Sequence, residues 1–103
     1  MAASINPPGV PALLSPANNA ATSGQPTLDW SDSSPGLDHY EVQLSTNQYF
    51  TAVLGRGRGG RTSASMYTPE VALPVGVYYW RVRAVNTAGQ FSNWSSSRSF
   101  RVP

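Results

Sequence analysis

A chain of 103 residues has room for one domain and one core, burying roughly two-thirds of the surface it would expose unfolded. The absence of cysteine excludes disulfides and thiolate metal sites, so packing alone must stabilise it. Apolar residues make up 40%, with nine Gly and nine Pro and few charges, a composition that favours short strands and many turns.

Residues 1–9 read as a Pro-rich lead, because Pro7 and Pro8 cannot donate to a sheet and Gly9 is a turn residue. The domain is expected over residues 10–103. Leu13 and Leu14, bracketed by Pro11 and Pro16, suit a short edge strand. Residues 18–24 are turn-rich, and residues 26–30 form a second strand with Leu28 and Trp30 inward. After a loop at 31–38, residues 39–45 alternate cleanly, with Tyr40, Val42 and Leu44 inside and His39, Glu41 and Gln43 outside. A fourth strand is expected at 50–54, a mobile glycine-rich hairpin loop at 55–61 and a fifth strand at 63–67. The sixth strand, 77–86, carries the strongest pattern: Tyr78, Trp80, Val82 and Ala84 on one face, Tyr79, Arg81, Arg83 and Val85 on the other. A loop at 87–93 leads to a last strand at 95–102, with Phe100 and Val102 on one face. No helix signal, internal repeat or span of about 20 apolar residues is present, and residues 1–8 lack the basic start and apolar run of a signal peptide.

Seven short strands separated by turn signals predict an all-β, seven-stranded antiparallel two-sheet sandwich of immunoglobulin-like form. Five segments together resemble a fibronectin type III domain of the bacterial extracellular type: Pro11-Ala-Leu-Leu-Ser-Pro16, Leu28-Asp-Trp30, Tyr40-Glu-Val-Gln-Leu44, Gly76-Val-Tyr-Tyr-Trp-Arg-Val-Arg-Ala-Val-Asn86 and Phe91-Ser-Asn-Trp-Ser-Ser-Ser-Arg-Ser-Phe100. The resemblance runs from about Val10 to Val102. It implies that Tyr78 is the corner tyrosine bonding back to the connection before it, and that Trp30 lies between the sheets. Trp30, Tyr40, Val42, Tyr78, Trp80, Val82 and Phe100 are the expected core. The chain departs from the family pattern in a short turn before Tyr78 and in the Gly/Arg loop.

Chemistry-bearing groups are sparse. His39 is the single histidine, and its neighbour Asp38 should point to the opposite face of the strand, so the two do not converge. Asp29 and Glu41 fall on outward strand positions, Asp32 and Glu70 on loops, and no paired carboxylates or metal-loop spacing follow. No catalytic residue, metal or cofactor is expected. The segment Phe91-Ser-Asn-Trp-Ser-Ser is similar to half of the Trp-Ser-x-Trp-Ser motif of cytokine receptors, which implies that Trp94 stacks with Arg81 and Arg83 at about 0.5–1 kcal/mol per contact. All seven cations are Arg. Arg56, Arg58 and Arg61 offer a contact for an anionic polymer, but three phosphate contacts give a salt slope of only about −2 to −3, too weak for a nucleic-acid protein.

These observations favour a non-catalytic module, a spacer or accessory domain of a larger secreted or cell-surface protein. Its expected partners are neighbouring domains of the same chain and, further, a protein or polysaccharide ligand, with the module itself a monomer. The alternative is a dedicated recognition module for carbohydrate or another polymer, or a binding scaffold selected on this fold. Its contacts would come from Arg56, Arg58, Arg61, Tyr79, Arg81, Arg83 and Trp94, or from the loops at 31–38, 46–49 and 87–93, which are expected at one end of the sandwich.

Overall fold

The computed structural model of the chain describes residues 7–33, 36–55 and 59–103. These form β1 (Leu13–Ser15), β2 (Ala20–Ala21), β3 (Leu28–Trp30), β4 (Leu37–Ser45), β5 (Gly60–Thr62), β6 (Met66–Tyr67), β7 (Gly76–Asn86) and β8 (Arg98–Val102), with no helix among the described residues. One sheet has the order β1-β3-β6 and the other β2-β8-β7-β4-β5. Every neighbouring pair is antiparallel except β2 with β8, which is parallel. The described residues therefore form eight strands rather than seven.

β4 and β7 are the spine, paired from Leu37 opposite Asn86 to Ser45 opposite Tyr79. Their two-residue period sends Tyr40, Val42 and Leu44 of β4 and Tyr78, Trp80, Val82 and Ala84 of β7 into the core. Leu13, Leu28 and Trp30 meet them from the smaller sheet, and Phe100 and Val102 join from β8. Trp30 stands edge-on to Tyr40 with centroids 5.4 Å apart and tilts against Trp80 at 6.3 Å, while Tyr78 stacks on Phe100 at 5.7 Å. The Tyr78 hydroxyl donates to the Pro74 carbonyl at 2.7 Å and ties down the connection before β7. The Tyr40 hydroxyl accepts the Ser33 N–H at 2.9 Å.

The structure departs from the sequence reading where turns compete with strands. The strand expected at 50–54 is reduced to one bridge, Val53 to Ser45, because the preceding residues fold into a tight turn. Strand pairing with β4 is taken up later by β5, inside the segment read as a mobile loop; its residues 56–58 lie outside the described residues. Glycine suits this edge rather than opposing it. A Cβ at Gly59 would lie 3.1 Å from the Val42 carbonyl oxygen, and Gly60 has φ 154°. Ala20 and Ala21, read as part of a turn, pair with Phe100 and Arg101. The strands expected at 63–67 and 95–102 shorten to β6 and β8. Val85, placed on the wet face by alternation, is only 4% exposed because the returning segment bridges to it through Phe91.

β7, eleven residues at about 3.3 Å each, is about 35 Å long. The chain comes in at one end of it: Ser31 N–H donates to the Ala12 carbonyl at 2.9 Å, the Ser33 hydroxyl donates to Gly9, and Thr87 N–H donates to the Gly36 carbonyl at 2.9 Å. It leaves at the other, where Val102 pairs with Gly76. Residues 31–33 and 87–93 thus share an end, whereas residues 46–49 follow the far end of β4; the three connections do not form one surface.

Replacing Trp30 by Ala should cost about 3–5 kcal/mol through the cavity left between the sheets, and Tyr78→Phe about 1 kcal/mol through loss of the bond to Pro74. Urea unfolding followed by tryptophan fluorescence checks both. Near-native stability of the Trp30 variant would contradict this account of the core.

Candidate functional site

The side of β4 and β7 that faces away from the core carries a dense set of polar side chains. Alternation places Tyr79, Arg81 and Arg83 of β7 beside Gln43 and Glu41 of β4. Arg83 Nε and Nη2 both lie 2.6 Å from Glu41 Oε1, and Arg81 Nε donates to Gln43 Oε1 at 2.9 Å. Each guanidinium plane is held from across the strands and presents its faces along β7. Burial, and secondarily the charge of Arg83, lowers the pKa of Arg81.

Aromatic rings fill the spaces between these planes. Trp94 lies 4.5 Å from Arg81 and 4.6 Å from Arg83, measured from guanidinium carbon to ring centroid; Phe50 lies 4.2 Å from Arg81 and Phe91 4.0 Å from Arg83. The order Phe50, Arg81, Trp94, Arg83, Phe91 is a continuous ladder of alternating rings and cations. Each contact contributes about 0.5–1 kcal/mol when exposed and more when desolvated. Phe91, in the place of the missing first Trp of the receptor motif, keeps a stacking role. Both guanidinium neighbours of the Trp94 indole belong to the same chain, and the ring also borders a cleft of about 300 Å³ with Glu41, Gln43 and Arg61.

Local sequence explains how the rings reach the ladder. Residues 92–97 form no strand, yet Ser92 and Ser95 are buried and supply the missing pairing. Their hydroxyls accept the N–H groups of Ala84 at 2.9 Å and Val82 at 3.1 Å, and their own N–H groups donate to the carbonyls of the same two residues. The three-residue repeat Phe91-Ser92, Trp94-Ser95 thus pins a serine to β7 each time it presents an aromatic ring. At the other end, Asn47 Oδ1 accepts the N–H groups of Tyr49 at 3.0 Å and Thr51 at 3.2 Å, which shapes the turn that carries Phe50. Phe50 has φ 57°, a left-handed conformation that costs a side-chain-bearing residue roughly 1–2 kcal/mol. Its contact with Arg81 offsets that cost. Alternation revealed Arg81 and Arg83, but Phe50, Glu41 and Gln43 joined the site only through the register of β4 and the turn at Asn47.

Above the ladder, an irregularity between Leu37 and His39 brings Asp38 and His39 together, contrary to strict alternation: Asp38 Oδ2 lies 2.7 Å from His39 Nδ1. The His39 side chain is 13% exposed, and its Nε2 lies 3.6 Å from Glu41 Oε2. Arg61 stands opposite Glu41 on β5, with Nη2 3.4 Å from His39 Nδ1 and its side chain 71% exposed. Arg56 and Arg58 lie outside the described residues. No hydroxyl nucleophile bonds to His39 among the described residues, and none of their His, Asp and Glu side chains gather in threes as a metal would need. Asp29 pairs with Met66 in the other sheet, remote from Glu41.

No protein-family model matches the chain, and no curated protein matches it. Solved structures do. A β-1,2-glucanase from Parabacteroides distasonis superposes with a TM-score of 0.71 at 18% identity, over 96% of this chain but only 13% of the glucanase. An Fn3-like protein from Clostridium thermocellum gives 0.64 at 22% identity, covering 95% of this chain and 96% of that one. The fibronectin type III domain of human fibronectin type III domain containing protein 3 gives 0.64 at 22% identity, over 99% and 92% of the two chains. The fold is that of a fibronectin type III domain.

The ladder and the strained turn make opposed demands at Phe50. Phe50→Gly loses the stack but relieves the left-handed backbone, whereas Phe50→Ala loses the stack and keeps the strain. The glycine variant should be the more stable of the two by about 1 kcal/mol, as read from urea midpoints; alanine equal to or better than glycine would contradict the assignment of strain there.

Proposed function

We propose that this fibronectin type III sandwich is a non-catalytic accessory module that holds neighbouring domains of a larger, secreted or cell-surface chain at a fixed separation. The observation that carries the reading is the placement of entry and exit at opposite ends of a body braced by one long β4–β7 pair. A rigid body with its chain ends apart separates whatever is fused to it, while loops and faces stay free for weak contacts.

Two further observations support it. The glucanase that shares this fold devotes 13% of its length to the matching region, so the fold there is one part of a larger chain. The outward chemistry of β4 and β7 is consumed internally: the guanidinium groups bind Glu41, Gln43 and three aromatic rings, and His39 is held by Asp38 with no nucleophile to activate. Such an arrangement stiffens a face, and among the described residues no hydroxyl nucleophile stands beside His39. No helix among the described residues is long and apolar enough to cross a membrane.

The test places the chain between two folded reporter domains, each bearing a single spin label; the module contributes no cysteine of its own. Double electron–electron resonance should give one narrow distance distribution. A distribution as broad as that of a Gly/Ser linker of equal length would overturn the spacer reading, and release of reducing sugar from a β-glucan by the isolated chain would overturn the non-catalytic one.

A further inference from the structure

One cleft on the same sheet face takes no part in the ladder. It holds about 230 Å³ and is lined by Tyr79 of β7, Asn18 and Asn19 of the β1–β2 connection, Gln48 of the turn before Phe50, and Ser97 to Ser99 entering β8. We propose that this cleft binds a neutral sugar residue of a polysaccharide, an assignment that rests on the accessory-module reading and gives that module a ligand class.

The lining chemistry selects the ligand. Ser99 N–H donates to Asn18 Oδ1 at 2.9 Å, and the Ser99 hydroxyl donates to Asn19 Oδ1 at 2.6 Å. Each amide oxygen already accepts at least one bond, which orients the amide, and the two NH₂ groups have no acceptor among the described residues, so they stand as donors of fixed direction. Asn19 is held by its backbone as well, with φ 66° and its N–H donating to the Ser99 carbonyl at 2.8 Å. Gln48, Ser97 and the Tyr79 hydroxyl have no hydrogen-bond partner among the described residues, so they supply both donors and acceptors. The Tyr79 ring, half-buried on the strand, adds an apolar surface.

Other ligand classes fit poorly. No carboxylate lines the cleft, so a metal ion lacks its oxygen ligands. Its one cation, Arg98, has Nη1 committed to the carbonyls of Leu14 and Pro16, each at 2.9 Å, so that edge of the guanidinium serves the fold. No aliphatic side chain lines it, so an apolar ligand gains little. Fixed amide donors, free hydroxyls and one aromatic ring match a ligand with many hydroxyl groups, no charge and a C–H face. The volume is below the ~300–1,000 Å³ of pockets that enclose drug-sized ligands, which suits one sugar ring held weakly along a polymer. Tyr49, next to Gln48 and 76% exposed, stands on the same turn and can meet an adjoining sugar.

The experiment is a two-dimensional ¹H–¹⁵N titration, including side-chain amides, with β-1,2-, β-1,3- and β-1,4-linked glucotetraose and with inorganic phosphate. Saturable shifts at the Asn18, Asn19 and Gln48 side-chain amides and at Ser99, with at least one tetrasaccharide, are expected. Gln48→Ala, on an exposed turn, should weaken binding about fivefold and Tyr79→Ala at least about tenfold, with the Trp30 and Trp80 indole resonances in their original positions. Shifts with phosphate alone, shifts confined to other residues, no saturable shift with any sugar, or full affinity in Gln48→Ala would each overturn the proposal. Such a failure leaves the spacer reading standing, because that reading is judged by the distance between reporter domains and not by binding.

Discussion

The two faces of β7 hold the molecule together by different physics. Inward, Tyr78, Trp80, Val82 and Ala84 bury apolar surface against the smaller sheet. Outward, Arg81 and Arg83 capture three rings from two connections that have almost no regular structure of their own. Without those cations, the turn at 47–51 would rest on one bridge and a few hydrogen bonds, and the segment 91–95 on one bridge and the backbone and hydroxyl bonds of Ser92 and Ser95. The ladder turns two irregular connections into parts of a rigid face, which is what a chain without disulfides needs if it is to hold a fixed shape.

The left-handed Phe50 shows how strongly that demand acts. A bulky aromatic residue rarely adopts φ 57°, and glycine would form the turn more easily. Phenylalanine at this position makes sense as the end cap of the ladder. The same turn carries Gln48 and Tyr49, so stiffness gained from Phe50 and Arg81 extends to the rim of the cleft at Tyr79. Internal stacking and the proposed ligand contact are thereby divided along one strand: Arg81 and Arg83 stack on the rings, and Tyr79, two residues earlier, borders the cleft.

Where burial dictated residue type, the sequence was readable. The alternation of residues 39–45 and 77–86 specified both long strands and their inward residues, since one register alone buries Tyr40, Val42, Tyr78, Trp80 and Val82 together. Trp30 could be placed from its neighbours Leu28 and Asp29. The edges were not legible in the same way. Gly59 and Gly60 read as a loop because glycine weakens strands in general, yet here the missing side chains let β5 lie close to Val42. Ala20 and Ala21 gave no strand signal because their pairing comes from β8, about 80 residues away. The site divided likewise: Arg81, Arg83 and Trp94 announced themselves by spacing and motif, while Phe50 and the lining of the cleft depend on a turn and on long-range contacts that no local pattern encodes.

The most direct test of the ladder as the organiser of this face is the backbone mobility of residues 48–51 in an Arg81→Met variant, which keeps an unbranched apolar stem and removes the guanidinium. The account predicts ¹⁵N order parameters near 0.85 for these residues in the original protein, falling below about 0.6 in the variant while β4 and β7 stay rigid. Order parameters unchanged by the substitution would show that the turn holds itself, and the ladder would lose its place as the support of the outer face.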